Sequence, residues 1–449
     1  MQPILREIRP TLALAVPIIV GQVSQMLIGI TDSAMIGRIG TVPLAAAAFT
    51  HGIFGVFFVV GLGLLLPVGV FSARDAGAGR ISDCAAWLQH GRMLAIGAGL
   101  VAFLFLAVIS TQLHRFGQPP AVVAIVRPFF LLIAFSLVPV FLFQVQRQFA
   151  EALRRPWVPM MIMIGDVGLN ALLNWMFIWG HLGVPALGLA GSGVATLVAR
   201  CTAVVVVAVW LRRSNTFAAV RAVPKTNFTW RRFRALFGMG IPAAGSLMFE
   251  SGAFAAAALM MGWLGTTALA AHQIALSCAA FTFMFPLGLS IAVSMRVSRA
   301  LGEGRHETLR PIGFGALGLS SLLMLSFATV FALAGGSLAR GFSQDASVVA
   351  LAAQLLKVAA LFQLFDGGQV VGAAALRGLG DVKMPTVITF VAYWGLAIPG
   401  AYFFGVHGKG ALGIWGSLAA GLAVAAISLS WRFRRLTAWS KAEPQLSVG

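Results

Sequence analysis

Four acidic side chains fall inside long apolar runs, where a carboxylate needs a reason to be: Asp32, Asp166, Glu250 and Asp366. An ionised carboxylate at the centre of a bilayer costs about 2.5–3.5 kcal/mol even on insertion scales, so such a residue reads as a site for an ion, a proton or a polar substrate. Asp32 is the only charge between residues 11 and 37. Asp166, Asn170 and Asn174 follow at i, i+4 and i+8, one stripe on one helix face. At ~1.5 Å per residue, Asn170 and Asn174 lie about 20–26 Å from the inner end of their span, and Thr196 about 14 Å from the outer end of the next. That is the depth of Asp32. A carboxylate, two amide oxygens and a hydroxyl at one level could cage a hard cation or relay a proton. The same groups would also serve as plain interhelical hydrogen bonds. Glu250 lies about 21 Å from the inner end of its span, and Asp366 near the middle of the tenth. None of the four acids has a basic residue one helical turn away.

The elements that must hold these groups are membrane helices. The chain has 449 residues, 59% hydrophobic and 10% charged, with a mean hydropathy of +0.91. Soluble domains use about 25% charged residues. The composition therefore predicts an all-α polytopic membrane protein. Twelve apolar segments are legible: 11–37, 44–71, 87–110, 121–144, 157–180, 187–211, 235–262, 268–295, 311–336, 348–375, 385–405 and 411–431. The first reads as an uncleaved anchor, with Pro17 as a bending point. The net charge of +19 invites a nucleic-acid partner, but the basic residues sit in loops, where they set orientation. No nucleic acid is expected. Arg74, Arg80, Arg154, Arg155, Arg296, Arg299, Arg305, Arg377, Arg432, Arg434 and Arg435 all fall on one side, which places both termini in the cytoplasm. Arg200 is the basic residue placed well within a span. Cys84, Cys201 and Cys278 are scattered, with no disulfide framework.

The chain also repeats itself. A shift of 225 residues lays Pro17 on Pro242, Gly37 on Gly262, Gly40 on Gly265, and Gly79-Arg80 on Gly304-Arg305. Ala186-Leu187-Gly188 falls on Ala411-Leu412-Gly413. Each half holds six spans, so both have one orientation: a parallel repeat, expected as two six-helix bundles facing a central cleft. The expected organisation is an N-terminal six-helix lobe (1–211), a cytoplasmic basic linker (212–234), a C-terminal six-helix lobe (235–431) and a cytoplasmic tail (432–449). The acids do not repeat: Asp32 falls on Ala257, and Glu250 on Gln25. Gln25 and Asp166 stand beside the main candidates as further site residues. Phe281, Phe283, Met284, Phe285, Met260 and Met261 read as lipid or core contacts.

The stretches ITDSAMIGRIG, FAEALRRPWVP, NALLNWMFIWG and GSGVAT in the first half resemble the multidrug and toxic compound extrusion (MATE) family. So do AAHQIALSCAAFTFMFPLGLSIAVSMRVSRALGEGR and FDGGQVVGAAALRGLGDVKMP in the second, specifically its NorM-type bacterial branch. The resemblance covers nearly the whole chain. It implies a secondary antiporter of the bacterial inner membrane that exports small organic cations and lipophilic drugs in exchange for Na⁺ or H⁺. It implies no cofactor beyond that coupling ion, and a monomer in contact with membrane lipid. It assigns Asp32, Asn170, Asn174 and Thr196 to the first-lobe site, and Glu250 and Asp366 to the second-lobe cation site. Na⁺ would be held at Asp32 or at Glu250/Asp366. It makes Pro17 the point where the first span bends. Where that branch can carry a tyrosine one turn before the second-lobe aspartate, this chain has Phe362, with no oxygen to offer a Na⁺ cage. Asp166 is not among the residues the resemblance assigns. The rival within transport is a lipid-linked precursor flippase on a related scaffold, whose cavity would be lined with basic residues. An enzyme is not expected, because the seven His form no HExxH and no paired metal spacing. A channel is not expected either, since no filter-like loop is present.

Overall fold

The protein is described here by a computed structural model that covers residues 2–224 and 228–439. Parts of the 212–234 linker and the 432–449 tail therefore lie outside the described residues. Among those described, all regular structure is helical. Twelve helices are long and apolar enough to cross a membrane. They are α1 (Pro3–Gly37), α2 (Thr41–Gly77), α3 (Ile81–Ser110), α4 (Pro120–Ala152), α5 (Trp157–Trp179), α6 (Gly188–Arg213), α7 (Trp230–Trp263), α8 (Thr266–Gly302), α9 (His306–Phe342), α10 (Ala346–Leu379), α11 (Lys383–Lys409) and α12 (Ala411–Ala438). The twelve segments read from hydropathy fall on these twelve helices, one to one. Most of the helices are longer than the segments. A 37-residue helix runs about 55 Å, so its polar turns project beyond a hydrocarbon core of about 30 Å.

The repeated glycines are turn chemistry. At the end of α2, Gly79 takes φ +73°, its N–H donates to the Ala76 carbonyl (3.3 Å), and the Arg80 N–H donates to the Asp75 carbonyl (2.9 Å). At the end of α8, Gly304 takes φ +71°, with Gly304 N–H on Leu301 (3.2 Å) and Arg305 N–H on Ala300 (2.9 Å). Both are left-handed caps that a side chain would strain, which is why the glycine recurs at the same place in each half.

Two helices are irregular. α4 tightens at Ser136, three residues before Pro139, which has no N–H to give the Phe135 carbonyl; the Ser136 hydroxyl donates back to Ile133 (2.6 Å). α11 is wound wide over Val391–Ala397 and again over Ala401–Lys409, the rare π geometry that tends to mark functional positions.

The helices form two compact units. The first comprises Val20–Ala244, with Phe129, Phe130, Phe141 and Phe149 at its core. Phe141 occupies the space left by Gly61, whose Cβ would lie 1.9 Å from the ring. The second comprises Met1–Ile19 with Gly245–Gly449, built around Trp415, Phe362, Leu355 and Leu356. These borders differ from those of the expected lobes, 1–211 and 235–431. They fall inside α1 and α7, two residues after Pro17 and two after Pro242, and are related by the same 225-residue shift. α1 passes Pro10 and Pro17 without leaving the helix. Cys84, Cys201 and Cys278 form no disulfide.

Candidate functional site

In the first unit α1, α5 and α6 bring four of the candidates into direct contact. Asp32 is only 3% exposed, although it is the one charge in its apolar run. Its Oδ1 accepts from Asn174 Nδ2 at 2.6 Å, and its Oδ2 from the Thr196 hydroxyl at 3.3 Å. Asn174 Nδ2 also donates to Asn170 Oδ1 at 3.1 Å, across the i, i+4 step of α5. Asn170, Asn174 and Thr196 are buried. The Oδ1 of Asn174 and the Nδ2 of Asn170 have no partner among the described residues, although both are sealed from solvent. A buried orphan acceptor beside a carboxylate is a place where a cation or a water would be held. The set contains only hard oxygen donors, which suits Na⁺ or a proton on water and not a soft metal.

This cluster opens onto a cavity of about 210 Å³ within the unit. Gln25, Asp32, His51, Asp166, Thr196 and Arg200 line it, with Phe54 and Phe58 as apolar wall. Asp166 therefore faces the same hollow as Asp32, one turn before Asn170 on α5, and its Oδ1 has no partner among the described residues. Gln25 lies two turns before Asp32 on α1. Arg200 hangs over the Phe54 ring (5.1 Å to the centroid) and donates to the Ser136 hydroxyl at the tightened turn of α4. The cavity thus holds two carboxylates and one fixed guanidinium.

In the second unit, Glu250 on α7 accepts from Gln369 Nε2 on α10 at 3.2 Å. Gln369 Oε1 in turn accepts from the Tyr393 hydroxyl at 3.4 Å. Asp366 is buried one turn before Gln369 on α10. Phe362 packs between Phe254 and Trp415 (ring centroids 5.9 and 5.7 Å), so the position without an oxygen belongs to an aromatic core. Tyr393 supplies a buried hydroxyl from the wide-wound stretch of α11. Sequence reading missed Gln369 and Tyr393. The signal for Gln369 was its i+3 spacing from Asp366; Tyr393 had none, because its partner lies on another helix.

A third polar cluster was also missed. The fourth span does not end at residue 144 but continues helically to Ala152. Glu151, which lies beyond the 121–144 segment read from hydropathy, is 2% exposed, and Arg147 is 1% exposed. Arg200 is therefore not alone among deeply placed arginines. Arg147 Nε lies 3.5 Å from Glu151 Oε1, and Arg147 Nη1 donates to Gln22 Oε1 on α1 at 2.8 Å. Hydropathy windows drop such a stretch because they score its charges as solvated, whereas here they are buried against each other and against Gln22 on α1.

Comparison with known proteins places these features. The sequence model of the MatE family matches residues 17–176 and 242–403. The chain is 37% identical over 447 residues to a probable multidrug resistance protein NorM of Mesorhizobium japonicum, covering 96% of this chain and 94% of that protein. It is 37% identical over 443 residues to a protein of the same description from Pseudomonas putida, covering 96% of each. Among solved structures, a MOP superfamily transporter from Pyrococcus furiosus superposes with a TM-score of 0.89 at 19% identity, over 97% of both chains. A multidrug resistance MATE family transporter in an outward-facing conformation superposes with a TM-score of 0.88 at 18% identity, again over 97% of both.

Proposed function

The chain belongs to the MatE family, and from that membership we propose that it is a NorM-type multidrug efflux transporter that exports cationic and lipophilic drugs in exchange for Na⁺ or H⁺ by alternating access. It is not an enzyme.

The observation that carries the coupling proposal is the burial of Asp32 beside the orphan Asn174 Oδ1, at the edge of a cavity whose mostly apolar wall also carries Asp166 and Arg200. In the inward-open state an amphiphilic cation enters, drawn by apolar walls and uncompensated carboxylate charge. After the transporter turns outward, a proton or Na⁺ reaches Asp32 and neutralises it. The drug then loses its electrostatic partner and leaves. The bend of α1 at Pro17 accompanies this step. The ion and the drug compete for one charge state, which is the differential binding that coupling needs. Glu250 and Asp366, with Gln369 as donor, offer a second place for the ion. The flippase reading gains little support from a cavity with two carboxylates against one guanidinium.

Ethidium efflux from reconstituted vesicles tests the scheme, under a pH gradient alone and then a Na⁺ gradient alone, with wild type, Asp32→Asn and Glu250→Gln. Export lost with Asp32→Asn under either gradient supports coupling in the first unit. Export unchanged in that variant would remove Asp32 from the scheme. Loss confined to Glu250→Gln would move coupling to the second unit.

A further inference from the structure

In the second unit, the Gln369 amide is held at both ends, and the two holds differ in kind. Its Nε2 donates to Glu250 Oε2 at 3.2 Å, and its Oε1 accepts from the Tyr393 hydroxyl at 3.4 Å. A primary amide donates at one end and accepts at the other, and half a turn about its last torsion exchanges them. A bare carboxylate only accepts, so it selects the N–H end. A carboxylate that has taken up a proton or Na⁺ selects the other end: the new O–H needs an acceptor, and Na⁺ needs oxygen. The group on the far side of the amide must then change role as well. A hydroxyl can do so, donating to Oε1 in one setting and accepting from Nε2 in the other. A phenyl ring could do neither, and an indole N–H only the first.

Burial and backbone make this contact more than a surface bond. Tyr393 is fully buried and Gln369 is 3% exposed, so bulk water cannot stand in for a missing partner. The Tyr393 ring packs near Phe254, with centroids 6.4 Å apart. Tyr393 lies in the wide-wound turn of α11, where the Ile398 N–H reaches back five residues to the Tyr393 carbonyl. Wide turns of this kind concentrate at functional positions. Phe362, one turn before Asp366, offers no oxygen to this cluster.

Taking Glu250 as a place for the coupling ion, we propose that Tyr393 is a positioning residue that lets Gln369 turn over with the occupancy of Glu250. The amide N–H faces the bare carboxylate, and the amide oxygen faces it once a proton or Na⁺ is bound. Gln369 then supplies the oxygen that Phe362 lacks.

The test uses the tyrosine itself. The chain has two tyrosines, Tyr393 and Tyr402, and Tyr402 is exposed. Full-length Tyr402→Phe protein in detergent therefore carries one tyrosine signal. Infrared difference spectroscopy with ring-labelled tyrosine reads from the phenol C–O stretch whether the hydroxyl donates or accepts. At mildly alkaline pH without Na⁺, Tyr393 should read as a donor. Adding the ion that the site takes, by lowering the pH or by adding Na⁺, should shift it to an acceptor. Glu250→Gln and Gln369→Met should each hold the signal constant. Asp366 is the other carboxyl on this stretch of α10, and Asp366→Asn should leave a shift that still depends on Glu250. Circular dichroism and melting temperature report that each variant folds. A Tyr393 signal that stays constant over the whole pH and Na⁺ range in which the protein is folded overturns the proposal, whichever unit couples transport. So does a shift that survives Glu250→Gln or Gln369→Met. A Tyr393 shift in a protein whose Glu250→Gln variant still exports ethidium as wild type does supports the amide switch, while removing Glu250 from the coupling scheme.

Discussion

Removing the Arg147 charge should cost the first unit more than any single change at its surface. Arg147 and Glu151 are both sealed from solvent, and they pair at 3.5 Å without a well-formed hydrogen bond. Arg147 Nε and Nη2 and Glu151 Oε2 find no hydrogen-bond partner among the described residues. Arg147→Met keeps most of the volume but leaves a buried carboxylate without a counter-charge, and it strips Gln22 Oε1 of its 2.8 Å donor. Breaking one side of a buried ion pair costs about 3–5 kcal/mol. For a unit of this size that lowers the melting temperature by roughly 10 °C. The double variant Arg147→Met/Glu151→Leu removes both charges, and because the pair is incompletely bonded it should regain most of the loss. The assay is thermal unfolding of the purified protein in detergent, followed by tryptophan fluorescence, across wild type, both single variants and the double. If Arg147→Met melts with wild type, the pair is hydrated and the burial argument fails. If the double variant melts no higher than the singles, the loss comes from packing or from Gln22, and the charge argument fails.

Three further outcomes follow from the same geometry. Asn174→Ala removes the 2.6 Å donor to Asp32 and should slow ethidium export by roughly tenfold, the worth of a hydrogen bond to a charged group, whereas Thr196→Val removes a 3.3 Å bond and should do less; equal effects would refute that ranking. Gly79→Ala forces a side chain into φ +73° and should destabilise by about 1–2 kcal/mol, while Gly238→Ala, inside α7 with open space around it, should be neutral or slightly stabilising by thermal melt. Asp345 caps α10 by accepting from the backbone N–H groups of Ser347 (2.8 Å) and Val348 (3.3 Å). Ser347 also donates its hydroxyl, and these bonds hold the Asp345 carboxyl below the usual aspartate range. That contribution is complete above the unfolded value of about 3.9 and is lost as pH falls through the lower folded value, so between pH 7 and pH 3 the melting temperature of wild type should fall further than that of Asp345→Ala.

The turns and spans were legible because they are local. A left-handed cap needs glycine whatever surrounds it, so Gly79 and Gly304 announce the same turn in both halves, and apolar length announces the helices between them. Asp32 was legible for the opposite reason: a lone charge in an apolar run has no local explanation, so its partners must be sought elsewhere. The stripe on α5 and a depth count put Asn174 and Thr196 at its level, and the family resemblance is what assigned them to it. The same logic failed at Glu151 and Arg147, because a stretch dense in charge reads as solvated unless the partners that dry it are known, and Gln22 is 125 residues away. It failed again at Tyr393, where a single hydroxyl on a wide-wound helix meets Gln369 through tertiary packing alone. The borders of the units lay between these cases. Pro17 and Pro242 were visible as repeated residues, but nothing local says that each half's first helix changes allegiance two residues later. What repeats is therefore backbone geometry: prolines, caps and span lengths. What diverges is the polar chemistry, an amide-and-carboxylate cluster in one unit and an acid–glutamine–tyrosine chain in the other. On the proposed exchange, a duplicated scaffold free to diverge at its polar positions needs only one unit to carry the coupling ion, and the paired efflux measurements on Asp32→Asn and Glu250→Gln test which one that is.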